Sequence, residues 1–287
     1  MSLPLTFILN TGAHVPVVKD TVKLALQLGY RNIDGAHAYG NEKEIRERIK
    51  ESGIPRQEIF VTSKLNSQQE YVDLYLMHFP HAYQPGPNIE KIRHPSGNGK
   101  PVIDYDMSRR YPETWKAMEK LVHSGKARAI GLSSFNILKT GRILDVARII
   151  SAVNQVELHP YLPQHDLVEF SAKHGILIMA HQPLFGLTRM NLEVAKQAGI
   201  TPAQVCLSWA VQRGIPVVPK SVQRAHLEQN LHLTRLPEDL FAAVDSVSSE
   251  KGPIRFLDPS HHICFDIFDE ENDQPVDNKA PWDQTHD

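Results

Sequence analysis

The feature that most constrains this chain is its alternation of two sequence periods. Short apolar runs rich in β-branched residues alternate with segments whose apolar positions recur at helical spacing. Ile59-Phe60-Val61-Thr62-Ser63-Lys64 is a continuous run of the kind buried on both faces of a sheet. Further strands are expected at Arg31–Asp34, Tyr71–Met77, Arg128–Ser133, Ala152–Glu157, Ile176–Ala180 and Ile215–Val218. Helical spacing separates them: Val18, Val22, Ala25 and Leu26, then Ile45 and Ile49, then Trp115, Met118 and Val122. Thr201-Pro202-Ala203-Gln204 is a capping box with proline at the first helical position. Residues 3–16 read as an opening hairpin turning at Asn10-Thr11-Gly12. Seven strands after that hairpin, alternating with helices, predict parallel strands with helices outside. No Gly-x-Gly-x-x-Gly follows a strand; Gly97-Asn98-Gly99 is a loop signal. An α/β barrel is therefore favoured over a doubly wound sheet.

The chain has 287 residues, 41% apolar and 22% charged, as expected of one soluble globular domain spanning 1–287 with an irregular, acid-rich tail from about Pro253. The net charge of −2 offers no electrostatic case for nucleic acid or an anionic membrane. Cys206 and Cys264 are the only cysteines, and no basic, apolar leader opens the chain, so a reducing, cytoplasmic location is expected. His261-His262 lacks a spaced third ligand, so no metal is expected there.

In parallel barrels chemistry gathers at the C-terminal mouth of the strands. The strand ends supply Asp34, Lys64, His78, Ser133, Gln155, His181 and Lys220, with Tyr39 five positions beyond Asp34. Any one of these has a bland reading as a solvated or structural group. Together, an acid, a phenol, an ammonium and an imidazole can protonate a carbonyl oxygen as it becomes an alkoxide. Tyrosine is a poor acid at neutral pH, and a neighbouring ammonium favours its phenolate.

Asp34-x-x-x-x-Tyr39, Ser63-Lys64-Leu65 and Met77-His78-Phe79-Pro80 together resemble the aldo-keto reductase superfamily, from Leu9 to about Ile267. The C-terminal Phe256-Leu257-Asp258-Pro259 and Cys264-Phe265-Asp266-Ile267-Phe268 are similar to the tail of fungal glycerol- or xylose-type reductases. The resemblance implies a (β/α)8 TIM-barrel-like fold. It also implies a monomeric oxidoreductase that reduces a small aldehyde or ketone with NADPH, with Asp34, Tyr39, Lys64 and His78 as the catalytic tetrad. Ser133 and Gln155 would hold the nicotinamide carboxamide, beside Ser134 where the family has Asn. His181, with Pro183 and Leu184 close by, stands where the family stacks a tyrosine on the nicotinamide. Pro219-Lys220-Ser221 matches the family's 2′-phosphate clamp, which favours NADPH over NADH. His226 replaces the family's arginine, with Arg224 as a substitute, and Gln229 and Asn230 match the adenine-contacting pair.

Two pieces of the family pattern are missing. After Val15-Pro16 the family has a strand ending in Gly-Thr-Trp, its first barrel strand; here Val17-Val18-Lys19 follows directly. Only Asn66 to Glu70 separate Leu65 from Tyr71, so Lys64 and His78 stand 14 positions apart. Parallel crossovers usually need a dozen residues or more. The expected barrel is therefore incomplete, lacking the first strand and one outer helix, with edges left open. The segment from Phe185 to Leu192 also looks shortened. A chain that has lost such segments has an alternative reading as a non-catalytic, NADP-binding or scaffold descendant.

Overall fold

A computed structural model of the chain describes residues 8–12, 15–64, 71–86, 101–185, 189–258 and 267–268. Eight parallel strands lie in one sheet: β1 (Ile8–Asn10), β2 (Asn32–Asp34), β3 (Phe60–Lys64), β4 (Val72–Met77), β7 (Ala127–Ser133), β8 (Val153–Glu157), β9 (Leu177–His181) and β10 (Val217–Val218), in that order. A two-stranded antiparallel ribbon, β5 (Ala82–Tyr83) with β6 (Ile103–Asp104), lies in the long loop after β4. Helices α1 (Val15–Leu28), α2 (Glu42–Glu51), α4 (Tyr111–His123), α5 (Ile137–Leu144), α6 (His165–Lys173), α7 (Arg189–Ala198), α8 (Pro202–Gln212) and α9 (Arg224–Leu231) connect the strands or follow the last. Short α3 (Tyr105–Arg109) precedes α4, and α10 (Glu238–Asp245) and α11 (Val247–Lys251) follow α9. No described helix is long and apolar enough to cross a membrane.

The expected absence of a first barrel strand is corrected. Ile8–Asn10 pairs in parallel with β2, Ile8 opposite Asn32 and Asn10 opposite Asp34. On the far side the Asn10 amide donates to the Pro219 carbonyl at 3.2 Å, bringing the first strand to the last. The eight strands thus form a nearly closed barrel. The segment read from sequence as a hairpin arm is a strand that leads into a helix, because residues 15 and 16 open α1. Three residues suffice because β2 is itself only three long. Strand alternation then sorts the side chains. Ile8 joins the barrel interior with Leu74, Leu76, Val153, Met179 and Val218, while Leu9 packs outward with Val18 and Val22 of α1.

The objection to the short crossover between β3 and β4 also fails. The two strands are parallel neighbours, Thr62 opposite Leu74 and Lys64 opposite Leu76. Residues 65–70 lie outside the described residues. Returning from Lys64 to the level of Tyr71 requires about 16 Å along the strand and ~5 Å across it. Seven residue steps reach roughly 23–25 Å. Reach alone permits the connection; a helix in that place serves to cover the sheet. At the start of β4, the buried Asp73 carboxylate accepts from the Val61 amide and pairs with both Arg56 and Arg128, each at 2.9 Å. Both guanidiniums lie over the Tyr71 ring, at 4.2 and 5.1 Å.

Outside the barrel the core falls into two main clusters. One gathers α1, α2 and α4 around β2, β3 and β4 and includes the fully buried Trp115. The other packs α7, α8 and α10 against β8 and β9 around the fully buried Trp209. The capping box at Thr201 forms as expected, with both reciprocal bonds present.

Candidate active site

Each strand of the barrel ends at the mouth, and each delivers a polar side chain at its end or within two residues beyond it. Asp34 closes β2 and Lys64 closes β3, both essentially without solvent exposure. The Lys64 ammonium donates to Asp34 Oδ1 at 2.7 Å and to the Gly35 carbonyl at 3.0 Å. The second carboxylate oxygen of Asp34 accepts from Gln155 Nε2 on β8 at 2.7 Å. A buried charge pair of this kind is tolerated because its remaining lone pairs and protons are satisfied.

Tyr39 is the last residue of a short 3-10 turn, His37–Tyr39, capped by Gly40 with φ of +66°. The Lys64 ammonium lies 5.6 Å from the centre of its ring. The His78 imidazole meets that ring edge-on, 6.2 Å between centroids, and stacks in turn on Phe79. Burial pushes the Tyr39 phenol above its ordinary value. Lys64 pulls it down, as expected from the sequence, and a hydrogen bond from the Asn10 side chain also lowers it, but burial outweighs both. Tyr39 is therefore held as a phenol at neutral pH, a group able to give a proton.

These groups open into a cavity of about 600 Å³ lined by Tyr39, His78, Ser133, Ser134, Gln155, His181 and Lys220, together with Pro183 and Leu184. The Gln155 amide nitrogen is committed to Asp34 and the Met179 sulfur, so the group it can offer the cavity is its carbonyl oxygen. The Ser134 hydroxyl is buried and has no partner. Its backbone has φ of +63°, a region that asparagine tolerates better than serine. That is a physical reason for the asparagine the family carries there. A hydroxyl without a partner beside a carbonyl acceptor is a donor and acceptor set suited to a primary carboxamide. His181 is pushed down to about 3 by burial and stays a neutral ring at the cavity wall.

The remaining predicted cofactor residues diverge. Lys220 reaches the cavity. Ser221, Arg224 and His226 lie at the start of α9 outside it, with Arg224 and His226 exposed. Arg224 is paired with Glu228 at 2.8 Å. Gln229 lines a separate hollow between α1, α8 and α9. Asn230 is buried against the Tyr30 hydroxyl.

Sequence reasoning missed several residues of the mouth. Asn10 and Gly12 line the cavity, although their local signal was that of a turn. Glu157 is buried beneath it, where it accepts from the Phe256 and Leu257 amides at 2.7 and 2.8 Å and pairs with His159 at 2.9 Å. This holds a C-terminal strap, 252–258, across β8, with Leu257 in the cavity wall and Phe256 stacked on Phe185. Nothing local in the sequence marks a carboxylate whose partners lie about a hundred residues downstream. Among the described residues no group of His, Cys, Asp and Glu is arranged to hold a metal, and His261 and His262 lie outside them.

A parallel barrel whose mouth joins a phenol, a buried lysine–aspartate pair and an imidazole is the architecture of a carbonyl-reducing oxidoreductase. The sequence pattern of the aldo/keto reductase family matches residues 14–70, 65–191 and 187–249, its breaks falling at the two shortened segments. The chain is 36% identical to glycerol 2-dehydrogenase (NADP(+)) of Saccharomyces cerevisiae, with 88% of this chain and 93% of that protein aligned. It is 38% identical to aldo-keto reductase family 1 member A1 of Pongo abelii, over 81% and 86% of the two chains. The aldose reductase structure from Schistosoma japonicum superposes with a TM-score of 0.83 at 31% identity, covering 93% of this chain and 95% of that one. The chain belongs to the aldo/keto reductase family. Its class is that of oxidoreductases that reduce carbonyl groups, and the family generally works with a nicotinamide dinucleotide.

Proposed function

We propose that this protein reduces a small aldehyde or ketone to the alcohol with NADPH, with Tyr39 as the proton donor. When bound, the dinucleotide supplies the hydride. Ser133, Ser134 and the Gln155 carbonyl oxygen would hold its carboxamide, and the neutral His181 ring would flank the nicotinamide. Lys220 would face the 2′-phosphate, with Ser221 and His226 next along the chain, and this cation favours NADPH over NADH. The protein's own part is to fix the carbonyl oxygen between Tyr39 and His78 and to deliver the phenolic proton as charge develops there. Asp34 anchors Lys64 beside the phenol, so that the phenolate left behind faces a cation.

The observation that carries this reading is the convergence of Tyr39 and His78 on one cavity with the unpartnered Ser134 hydroxyl, the buried Lys64–Asp34 pair standing behind the phenol. The test is oxidation of NADPH, followed by its absorbance, with a panel of aldehydes. Tyr39→Phe should lower kcat by about 10²–10⁴-fold, the range of a general acid, and leave NADPH binding intact. Unchanged turnover in that variant would refute the role of Tyr39. NADPH binding without turnover in the wild type would instead support the non-catalytic alternative, which the replacement of a tyrosine by His181 and the pairing of Arg224 favour.

A further inference from the structure

Seven strand ends bring to the mouth the residues already given roles. The eighth is the end of β1, the strand that stands in for the one missing from the family pattern, and it carries Asn10. Alternation turns Ile8 to the barrel interior, Leu9 to the helices and Asn10 back to the interior at the rim, where it lines the cavity with Tyr39. The Asn10 side-chain oxygen accepts from the Gly12 amide at 2.8 Å. That bond fixes the orientation of the amide and leaves its N–H groups as the ones free to reach the phenol. A Cβ on Gly12 would stand 3.0 Å from Asn10 Oδ1 and 3.5 Å from Tyr39 Cζ, so the glycine leaves open the space in which amide and phenol meet.

We infer that Asn10 is a positioning residue for the proton donor, its amide donating to the Tyr39 oxygen and stabilising the phenolate formed once the proton has left. The inference rests on the proposed role of Tyr39. Lys64 gives two of its three N–H bonds to Asp34 and Gly35, so its ammonium is held mainly on the carboxylate side of the phenol. The other charged or titratable groups around the phenol are Asp34 on β2, Lys64 on β3 and His78 after β4, with His181 and Lys220 on the cavity wall; the test leaves all of them in place. The share of Asn10 in closing the barrel is made by its main chain, through the bond to Pro219, and survives substitution of the side chain.

Asn10→Asp keeps the acceptor for Gly12 and replaces the donor by a carboxylate; Asn10→Ala removes both. The first measurement is direct. Tyrosine labelled with 13C at Cζ is titrated by NMR in the full chain, the Tyr39 resonance being assigned by its absence in Tyr39→Phe. The midpoint should rise by about one pH unit in Asn10→Ala, the scale of a hydrogen bond to a charged group, and further in Asn10→Asp. The second measurement is the pH profile of turnover in both directions with NADPH and NADP. Alcohol oxidation, which needs the phenolate, should have its rising limb displaced upward by about one pH unit in Asn10→Ala. The falling limb of aldehyde reduction, which needs the phenol, should be displaced upward by the same amount. A midpoint that does not move in either variant overturns the inference, as does a loss of rate at every pH with both limbs left in place, the mark of a merely structural side chain. Insoluble protein from both variants would overturn it too, since a side chain that only positions Tyr39 is not needed for closure. A midpoint that moves in a chain without turnover would count against the proposed reaction while leaving Asn10's grip on the phenol in place.

Discussion

Removing one member of the Asp34–Lys64 pair should cost far more than removing both. The pair is almost wholly buried, with its ammonium–carboxylate distance at 2.7 Å. Lys64→Met leaves the Asp34 carboxylate with the Gln155 amide as its remaining side-chain donor, in a site closed to water. Asp34→Asn leaves the ammonium with the Gly35 carbonyl and a neutral amide oxygen. Breaking a buried pair by deleting one partner costs about 3–5 kcal/mol, against a total stability of ~5–15 kcal/mol for an ordinary domain. Each single variant should therefore lose about a fifth or more of the protein's stability. In Asp34→Asn/Lys64→Met neither charge of the pair remains, and the double variant should recover about 2–3 kcal/mol relative to the sum of the singles. Urea unfolding at neutral pH, followed by the fluorescence of the buried Trp115 and Trp209, reads all four corners of the cycle. If the single costs add to within about 0.5 kcal/mol, the two charges do not depend on each other and the dry, paired centre is wrong. Restored stability should not restore turnover, because the double variant has no cation beside Tyr39.

His181 makes a signed contribution to acid stability. Its folded value of about 3 lies below the ordinary 6.5, so between those values the unfolded chain binds the proton that the folded chain refuses. The stability it confers is complete above about pH 6.5 and is lost as pH falls toward 3, on the order of 4–5 kcal/mol in all. Chemical denaturation at a series of pH values should show a flatter decline in His181→Tyr than in the wild type; parallel curves would contradict the burial of the imidazole. Gly131, within β7, has no room for a side chain. An added Cβ would lie 2.6 Å from Leu76 Cδ2 and 2.9 Å from the Val153 carbonyl oxygen. Gly131→Ala should lose about 1–3 kcal/mol by overpacking in urea unfolding, and a loss below ~0.5 kcal/mol would mean that the barrel interior yields there.

What could be read from the sequence follows the range of the interaction responsible. Seven of the eight barrel strands stand out because each is a run that must bury both faces, a signal held within five or six residues. The Thr201 cap is equally local. The first strand was misread for the same reason: at Asn10-Thr11-Gly12 the local chemistry is that of a hairpin turn, and only pairing with β2 and β10 makes it a barrel strand. The α7 helix lies in a shortened, mixed stretch where no family spacing guides the reading. In the site, strand-end residues were legible because period and position predict where they point. Glu157 was not, since its meaning lies in backbone amides of a strap that reaches it from the far end of the domain.

The same distinction explains how a chain that departs from its family's pattern in two places keeps the geometry of the mouth. Parallel pairing and register are settled strand by strand, through main-chain bonds that are indifferent to what joins the strands. A crossover need only be long enough to return to the bottom of the next strand, and seven residues meet that requirement between β3 and β4. The chemistry depends on the last residue or two of each strand, so changes on the outside or at the base leave Asp34, Lys64, Gln155 and His181 at their levels. A change in the strand itself is different, because it replaces the residue delivered to the mouth. As at Ser134 and His181, this chain's substitution at the end of β1 reaches the cavity. It is there that an amide beside the phenol replaces what the family's Gly-Thr-Trp strand end would have brought.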